Sequence, residues 1–458
     1  MFIQGTYLVD GQEFMINIET VLFRPISDKQ ITVVLVVSIA FMVADSMLNN
    51  VSDFLTPQLT SAWGISFFVL MGVVFAVSQQ LLIRFVWWKT KDIQSKSLLI
   101  NRFLKVVIAC QYALLTILII LLYQILFTAQ YDTALLIWST IICFSLTISA
   151  LAILARLFFL WYRSSKRESF IILSYALAFV IMSMTFSLAL ILDVYHLSSK
   201  QATVTPTSEV NFPNYDNAGL LIVLFHIIYN YSDLFSFVLI WAATSLLLLH
   251  YRKRLGLVKF WLIITLPLIY YLGTFVDLAG IYEPKSDSEQ YYYFLYMSLN
   301  STAGGLMFGI AFMVIAKRID NQKIRGYMTL TSYGFILLYI SSQITLVASS
   351  YPPFGIATLF FTGLASFFLL TGLYSTAISL SKHAELRKTI RRSLEDEHSR
   401  LIDGIGMSEV QRDINKRVEP IIQQYAEQMN TQTAIDLTIS EEEVRRYINE
   451  ILRDVYKK

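Results

Sequence analysis

Long apolar runs separated by short polar stretches dominate the chain as far as residue 381. A helix needs about 20 consecutive apolar residues to cross the hydrocarbon core of a bilayer. Ten runs approach or exceed this length, and we interpret them as membrane helices: Ile31–Leu48, Trp63–Ile83, Val106–Thr128, Ala134–Ala155, Phe170–Leu192, Ala218–His250, Phe260–Leu278, Tyr292–Ala316, Tyr327–Ala348 and Ile356–Leu380. The pattern predicts an all-α, polytopic membrane protein with its membrane domain over residues 31–381.

Residues 1–30 form a predicted N-terminal segment that lies in the cytoplasm or at the membrane interface. Apolar and polar residues alternate on both sides of Asp10-Gly11, a dipeptide that favours two-residue hairpin turns. A short hairpin or an interfacial segment is therefore expected. The segment lacks the basic, apolar and small-residue regions of a signal peptide, so none is predicted.

The pattern changes again in residues 382–458, where 14 Lys or Arg and 15 Asp or Glu accompany short apolar stretches. We expect a cytosolic tail of amphipathic helices, the last of which begins at a capping box formed by Ser440 and Glu443. Its apolar stripe recurs at helical spacing and is the predicted partner-binding surface: Val444, Ile448, Ile451, Leu452 and Val455. The stripe either binds a cytosolic protein or a second copy, as in a coiled coil, or packs inside a small helical hairpin.

Composition agrees with the membrane interpretation, because 55% of the residues are hydrophobic and only 15% are charged. Soluble domains contain roughly 25% charged residues. This balance excludes disordered, collagen-like and disulfide-rich secreted proteins and an ordinary cytosolic enzyme. The tail carries almost equal numbers of acidic and basic residues, which argues against a nucleic-acid partner.

The positions of Lys and Arg predict the orientation, because these residues are retained on the cytoplasmic side during insertion. Of the 22 Lys and Arg residues in positions 1–381, only Lys200 and Lys285 lie in the opposite set of connections. With ten spans, both termini are cytoplasmic. We therefore expect an integral protein of the cell membrane whose main partner is the lipid bilayer.

Polar residues inside the apolar runs are the candidate ligand-binding residues, because such groups are costly in lipid. His226, Asn230 and Asp233 are spaced by four and three residues, which places them on one face of the sixth predicted span. Asp45 and Asn300 lie in the outer half of their own spans. Together they predict an outward-facing polar cavity for a cation, a proton or an amine, although interhelical hydrogen bonds are the alternative role.

No enzyme activity or cofactor is predicted. The predicted spans contain no central lysine for a retinal Schiff base, and the sequence contains no HExxH metal motif or Walker loop in a suitable context. The five histidines are scattered singly, and both cysteines, Cys110 and Cys143, lie in apolar runs, so no metal site is expected.

Three functions remain open from the sequence. The first is a sensor or signalling receptor, in which the last span continues directly into the tail helices and couples the polar cavity to them. The second is a secondary transporter of a small cationic or proton-coupled substrate, because ten spans divide into two halves of five. The third is a scaffold subunit of a membrane complex.

Overall fold

A computed structural model describes most of the predicted membrane domain, parts of the N-terminal segment and four residues of the tail. The described residues are 8–9, 12–13, 28–50, 52, 55–94, 98–164, 170–208, 219–249, 252, 256–278, 286–317, 321–342, 350–382, 405 and 408–409. Within them the chain forms eleven helices and two small strand pairs.

The helices run in chain order as α1 Asp28–Asn50, α2 Thr56–Leu59, α3 Ala62–Gln94, α4 Leu98–Thr128, α5 Thr133–Ser164, α6 Phe170–Ser198, α7 Leu220–Leu249, α8 Leu257–Leu278, α9 Asp287–Lys317, α10 Gln322–Ser342 and α11 Ile356–Lys382. The strands are β1 Leu8–Val9, β2 Gln12–Glu13, β3 Tyr131–Asp132 and β4 Thr203–Val204. The strand β1 pairs antiparallel with β2, which agrees with the short hairpin, one of the two alternatives predicted for this segment; its second strand begins earlier than the apolar pattern indicated.

Seven helices are long and apolar enough to cross a membrane: α1, α3, α4, α5, α6, α7 and α11. The all-α class is confirmed, and the protein is an integral membrane protein with seven candidate spans. The other three predicted spans coincide with α8, α9 and α10. In these three helices the described apolar stretches do not reach the length and hydropathy of the seven.

Several helices are longer than the apolar runs that predicted them. The helix α3 continues to Gln94, beyond the predicted span Trp63–Ile83, and α9 begins at Asp287, five residues before the predicted span Tyr292–Ala316. Polar residues at these ends extend the helices beyond the hydrocarbon thickness, because helix formation continues where caps and good helix formers allow it.

The helix α11 occupies the centre of the bundle. It contacts α1, α3, α4, α5 and α10, and every residue from Ile356 to Ile378 is buried. Its sequence carries no charge before Lys382, and a helix that is apolar on all sides is stable only where other helices surround it.

Glycines bring α9, α10, α11 and α5 close together. Gly309 of α9 lies against Ile336 of α10, and the hydroxyl of Ser332 donates a 2.6 Å hydrogen bond to the Gly309 carbonyl. A Cβ atom at Gly334 of α10 would lie 2.7 Å from the backbone nitrogen of Leu369 in α11. Small residues at such contacts allow backbones to approach, which is the main source of helix association in lipid.

Candidate functional site

The N-terminus of α11 is held by a carboxylate from another helix. Asp45, which is fully buried in α1, accepts hydrogen bonds from the backbone N–H of Gly355 at 2.9 Å and of Thr358 at 3.1 Å, and from the Thr358 hydroxyl at 2.7 Å. The first N–H groups of a helix have no partner inside the helix, and a carboxylate also interacts favourably with the positive end of the helix dipole. Gly355 has φ of 93°, a conformation that favours glycine. We call this end of the bundle the capped end.

Two tyrosines tie the α4–α5 connection to the residues that precede α11. The Tyr131 hydroxyl donates to the Ser350 carbonyl at 2.9 Å, the Tyr351 hydroxyl donates to the Ile125 carbonyl at 3.2 Å, and the two rings stack at 6.2 Å. Burial, together with the neighbouring Tyr351, raises the pKa of Tyr131 well above its usual range, so this hydroxyl stays protonated and keeps its role as a donor.

The same end carries the strand pair β3–β4, which joins the α4–α5 connection to the chain after α6. Tyr131 pairs with Val204, and the backbone N–H of Thr133 donates to Ala202 at 2.9 Å. Lys200 lies just before this pair, and burial lowers its pKa from 10.5 to about 8. The contacts bring α4, α5, α6 and α11 together at the capped end.

In the middle of the bundle, two buried glutamines connect α3 and α4 to α11. The Gln79 side-chain amide donates to the Gln111 side-chain oxygen, and the Gln111 amide donates to the Phe360 carbonyl at 3.3 Å. Both side chains are buried, at 2% exposed for Gln79 and 0% for Gln111. Buried polar side chains in proteins are mostly hydrogen-bonded, and this chain of bonds sets the relative position of the three helices.

At the opposite end, which we call the tail end, three residues of the tail are buried against the bundle. The indole N–H of Trp161 in α5 donates to a carboxylate oxygen of Glu409 at 2.9 Å. Ile405 and Ser408 are 3% and 1% exposed, and Ile405 belongs to the same continuous apolar core as the helices. The tail therefore makes a specific, buried contact with the membrane domain.

Trp161 is also the first ring of an aromatic array that crosses five helices. Its ring lies 4.9 Å from Phe158, which contacts Tyr175 of α6 at 5.9 Å. The array then continues through Phe312 and Phe308 of α9, Phe335 and Tyr339 of α10 and Phe237 of α7, with adjacent centroids 4.9–6.4 Å apart. The Tyr175 hydroxyl also shares a 2.8 Å hydrogen bond with Thr244 of α7. The residue that holds Glu409 thus packs within the core of the bundle.

The structure brings together two of the three predicted ligand residues on α7. The Nδ2 atom of Asn230 lies 3.3 Å from Nε2 of His226, as the predicted spacing requires. Asp233 is half-buried on the same helix, and its backbone carbonyl accepts a 2.8 Å hydrogen bond from the Ser236 hydroxyl. Asp45 binds the start of α11. Asn300 belongs to α9, but its side chain and the tail stripe Val444–Val455 lie outside the described residues.

The residues that sequence reasoning missed are Trp161 and Glu409. A tryptophan near the end of an apolar run is typical of the membrane interface, and nothing in the sequence connects it to an acid 248 positions later. The one signal available in the sequence was the apolar Ile405, which stands between two glycines four positions before Glu409.

The described residues contain no group of three or more His, Cys, Asp or Glu side chains that could hold a metal ion. No protein-family model, no curated protein and no solved structure matches this chain.

Proposed function

We propose that the protein is a multi-pass membrane sensor or signalling receptor in which the membrane domain controls the docking of the cytosolic tail. The observation that supports this function best is the buried hydrogen bond between Trp161 and Glu409. A tail that served only as a soluble appendage would not require a carboxylate buried against the core of the bundle.

The proposed topology has ten spans, with α8, α9 and α10 crossing the membrane as well, and both termini in the cytoplasm. The distribution of Lys and Arg supports this orientation, because 20 of the 22 basic residues before the tail fall on one side. The capped end then faces outward, and the tail end faces the cytoplasm.

The central helix is the proposed link between the two ends. At the capped end it is held by Asp45, and along its length it contacts α5, the helix that carries Trp161. A signal that shifts α11 or its cap would change the packing of α5 and the position of Trp161. Coupling of this kind requires an element with two arrangements that both sites influence.

Three buried hydroxyls on α11 favour a second arrangement of this helix. Among the described residues, the oxygens of Thr362, Thr371 and Ser375 have no hydrogen-bond partner, although each is buried. A buried donor without a partner costs about 1–3 kcal/mol. These costs raise the free energy of the observed packing of α11. The free-energy gap between this packing and an alternative one is therefore smaller than it would be if all three hydroxyls were hydrogen-bonded.

The test is hydrogen–deuterium exchange of the backbone amides of residues 405–409, measured by mass spectrometry on the full chain in lipid nanodiscs. Trp161→Phe keeps an aromatic ring but removes the donor to Glu409, so exchange should become at least about tenfold faster, as loss of a hydrogen bond to a charged group predicts. Trp138→Phe, in an exposed position of the same helix, is the matched control and should have no effect.

Coupling between the ends requires a second pair of variants. Asp45→Asn weakens the cap on α11, and we expect it to increase exchange at residues 405–409, whereas Asp132→Asn, which is exposed at the same end, should not. Gly64→Ala controls for general destabilisation, because its new Cβ would meet the backbone of Leu59 in α2 and not α11. Unchanged tail exchange in Asp45→Asn would refute the coupling, as would an equal increase in Gly64→Ala at the same loss of thermal stability.

The apolar stripe of the last tail helix is the proposed output surface. Its residues Val444–Val455 form a partner-binding or dimerisation face in this proposal, which the helical spacing in the sequence supports. Release of Glu409 from Trp161 would then change the access of a cytosolic protein, or of a second copy, to this face.

A further inference from the structure

A cavity of about 430 Å³ lies between α8 and α9, on the part of both helices nearest the capped end. Three residues of α8 form one wall, Leu272, Gly273 and Val276, and four residues of α9 form the other, Glu289, Tyr292, Tyr293 and Tyr296. Cavities of roughly 300–1,000 Å³ hold small-molecule ligands in proteins.

The wall formed by α9 combines three tyrosine rings with one carboxylate on a single helical face. Counted from Glu289, the three tyrosines lie three, four and seven positions later in the chain: Tyr292, Tyr293 and Tyr296. This spacing places all four side chains on the same side of the helix. Gly273 has no side chain to occupy the space opposite them. The rings present electron-rich faces, and among the described residues that line the cavity Glu289 is the one charged side chain.

We propose that this cavity is a binding site for a small organic ammonium cation. Aromatic rings attract quaternary and methylated ammonium groups through their quadrupoles, and a neighbouring carboxylate supplies the opposite charge. The apolar wall of Leu272 and Val276 accepts the methyl or methylene groups of such a cation, which are poorly hydrated.

Glu289 also has a role in the structure of α9, and the test must separate the two roles. Its backbone N–H donates to the Ser286 hydroxyl at 3.3 Å, the geometry of a capping box with Glu at the third helical position. Glutamine is equally suitable at that position, so Glu289→Gln removes the charge from the cavity and preserves the cap.

The ligand site is connected to the aromatic array through α9 itself. Tyr296 and Phe308 are twelve residues apart on this helix, about 18 Å at 1.5 Å per residue. The idea that this cation is the signal for the tail rests on the proposed function. The binding of the cation to the cavity does not depend on that function.

The experiment is isothermal titration calorimetry of the full chain in phosphatidylglycerol nanodiscs, with choline and tetramethylammonium as probes and empty nanodiscs as the blank. We expect saturable binding of both cations and none of 3,3-dimethyl-1-butanol, the neutral isostere of choline. Glu289→Gln should abolish or strongly weaken binding. Tyr292→Leu should weaken it about two- to fivefold, as loss of one cation–π contact predicts, while Tyr292→Phe should preserve it.

Tyr231→Leu, a change at an exposed tyrosine of α7, is the matched control and should bind as the wild type does. Repeating the titration in phosphatidylcholine nanodiscs identifies the source of the cation: competition by the lipid indicates a choline headgroup, and unchanged binding indicates a free solute. Absence of saturable binding, equal binding of the neutral isostere, or unchanged affinity in Glu289→Gln would overturn the proposal. Because tail exchange is measured separately, failure of binding and failure of coupling are distinguishable.

Discussion

Among individual residues, Asp45 has the most completely defined role. Its two carboxylate oxygens accept three hydrogen bonds from Gly355 and Thr358, which lie 310 and 313 positions later in the chain. It caps a helix to which it does not belong. The side chain thereby connects the first long helix to the start of the central helix.

Replacing this carboxylate should destabilise the protein. Asp45→Ala leaves the buried N–H groups of Gly355 and Thr358 without an acceptor, and each unsatisfied donor costs about 1–3 kcal/mol. We expect the free energy of unfolding to fall by about 2–6 kcal/mol and the thermal unfolding midpoint in detergent to fall with it, as tryptophan fluorescence would report.

Asp132→Ala is the matched control, since Asp132 is exposed and its side chain binds Gln124, also at the surface. A loss of stability in Asp45→Ala no larger than in Asp132→Ala would contradict the capping role.

The sequence identified Asp45 as an unusual charged residue in an apolar run, but it did not reveal which residues Asp45 contacts. An ionisable residue in an apolar run indicates a polar environment, and the structure supplies one in the backbone of α11. Its partners follow from how α1 and α11 pack, and no local pattern encodes that packing. By contrast, the neighbouring positions of His226 and Asn230 were predictable, because both lie on one helix with fixed periodicity.

At the scale of elements, the closest contacts are made at glycines on helix faces. Gly334 faces the backbone of α11, with Ala365 and Leu369 the nearest residues, and Gly372 of α11 faces Thr331 and Tyr327 of α10. These contacts explain why α10 and α11 pack closely over most of their lengths.

A methyl group at this contact should separate the two helices. In Gly334→Ala the new Cβ would lie 2.7 Å from the Leu369 nitrogen and 3.0 Å from the Ala365 carbonyl oxygen, and backbone atoms of a buried helix cannot move aside independently. Overpacking of this kind costs about 1–3 kcal/mol. Thermal unfolding of the purified variant in detergent measures the effect.

Gly72→Ala provides the comparison, because its Cβ would meet Leu122 Cδ1 at an ordinary 3.5 Å. This variant should be as stable as the wild type or slightly more stable, since alanine favours the helix. If both alanine variants unfold at the wild-type midpoint, the close approach of α10 and α11 is not a source of stability.

The existence of the helices was predictable, and their ends and small strands were not. Runs of about 20 apolar residues are recognisable because lipid excludes unpaired backbone groups and so requires a helix. The pair β3–β4 consists of two residues in each strand, and it forms because the ends of α4, α5 and α6 meet in space. Its register follows from tertiary contacts such as that between Thr133 and Ala202.

At the scale of the whole molecule, the proposed orientation places Lys200 outside the cell and Lys323 inside. Burial lowers the pKa of Lys200 to about 8, so about half of this amine is neutral at pH 8, compared with about 0.3% for an ordinary lysine. Burial destabilises the charged form of this amine in the folded protein. Below about pH 8 the amine is charged and lowers the free energy of unfolding by its burial cost. Between about pH 8 and 10.5 the folded protein loses the proton before the unfolded chain does, so the free energy of unfolding increases with pH.

A membrane-impermeant, amine-reactive ester applied to intact cells tests both the proposed orientation and the lowered pKa of Lys200. Lys200 should be modified efficiently at pH 8, and its reaction rate should rise through pH 8 rather than above pH 10. Lys323 is exposed on α10 and should react only after the membrane is permeabilised. Modification of Lys323 in intact cells, or protection of Lys200, would reverse the proposed orientation; peptide mass spectrometry identifies the modified lysines.

The burial of α11 from Ile356 to Ile378 has a consequence for biosynthesis. Because this helix follows α1–α10 in the chain, the ribosome releases the surrounding helices first, and the space they enclose stays open to lipid until residues 356–382 have been made. A chain that stops before Ile356 would expose the side chains of α1, α3, α4, α5 and α10 that normally contact α11, and Asp45 would lack the helix it caps. Completion of this one helix therefore closes the groove, and an unfinished molecule differs from a finished one by the apolar surface that α11 covers.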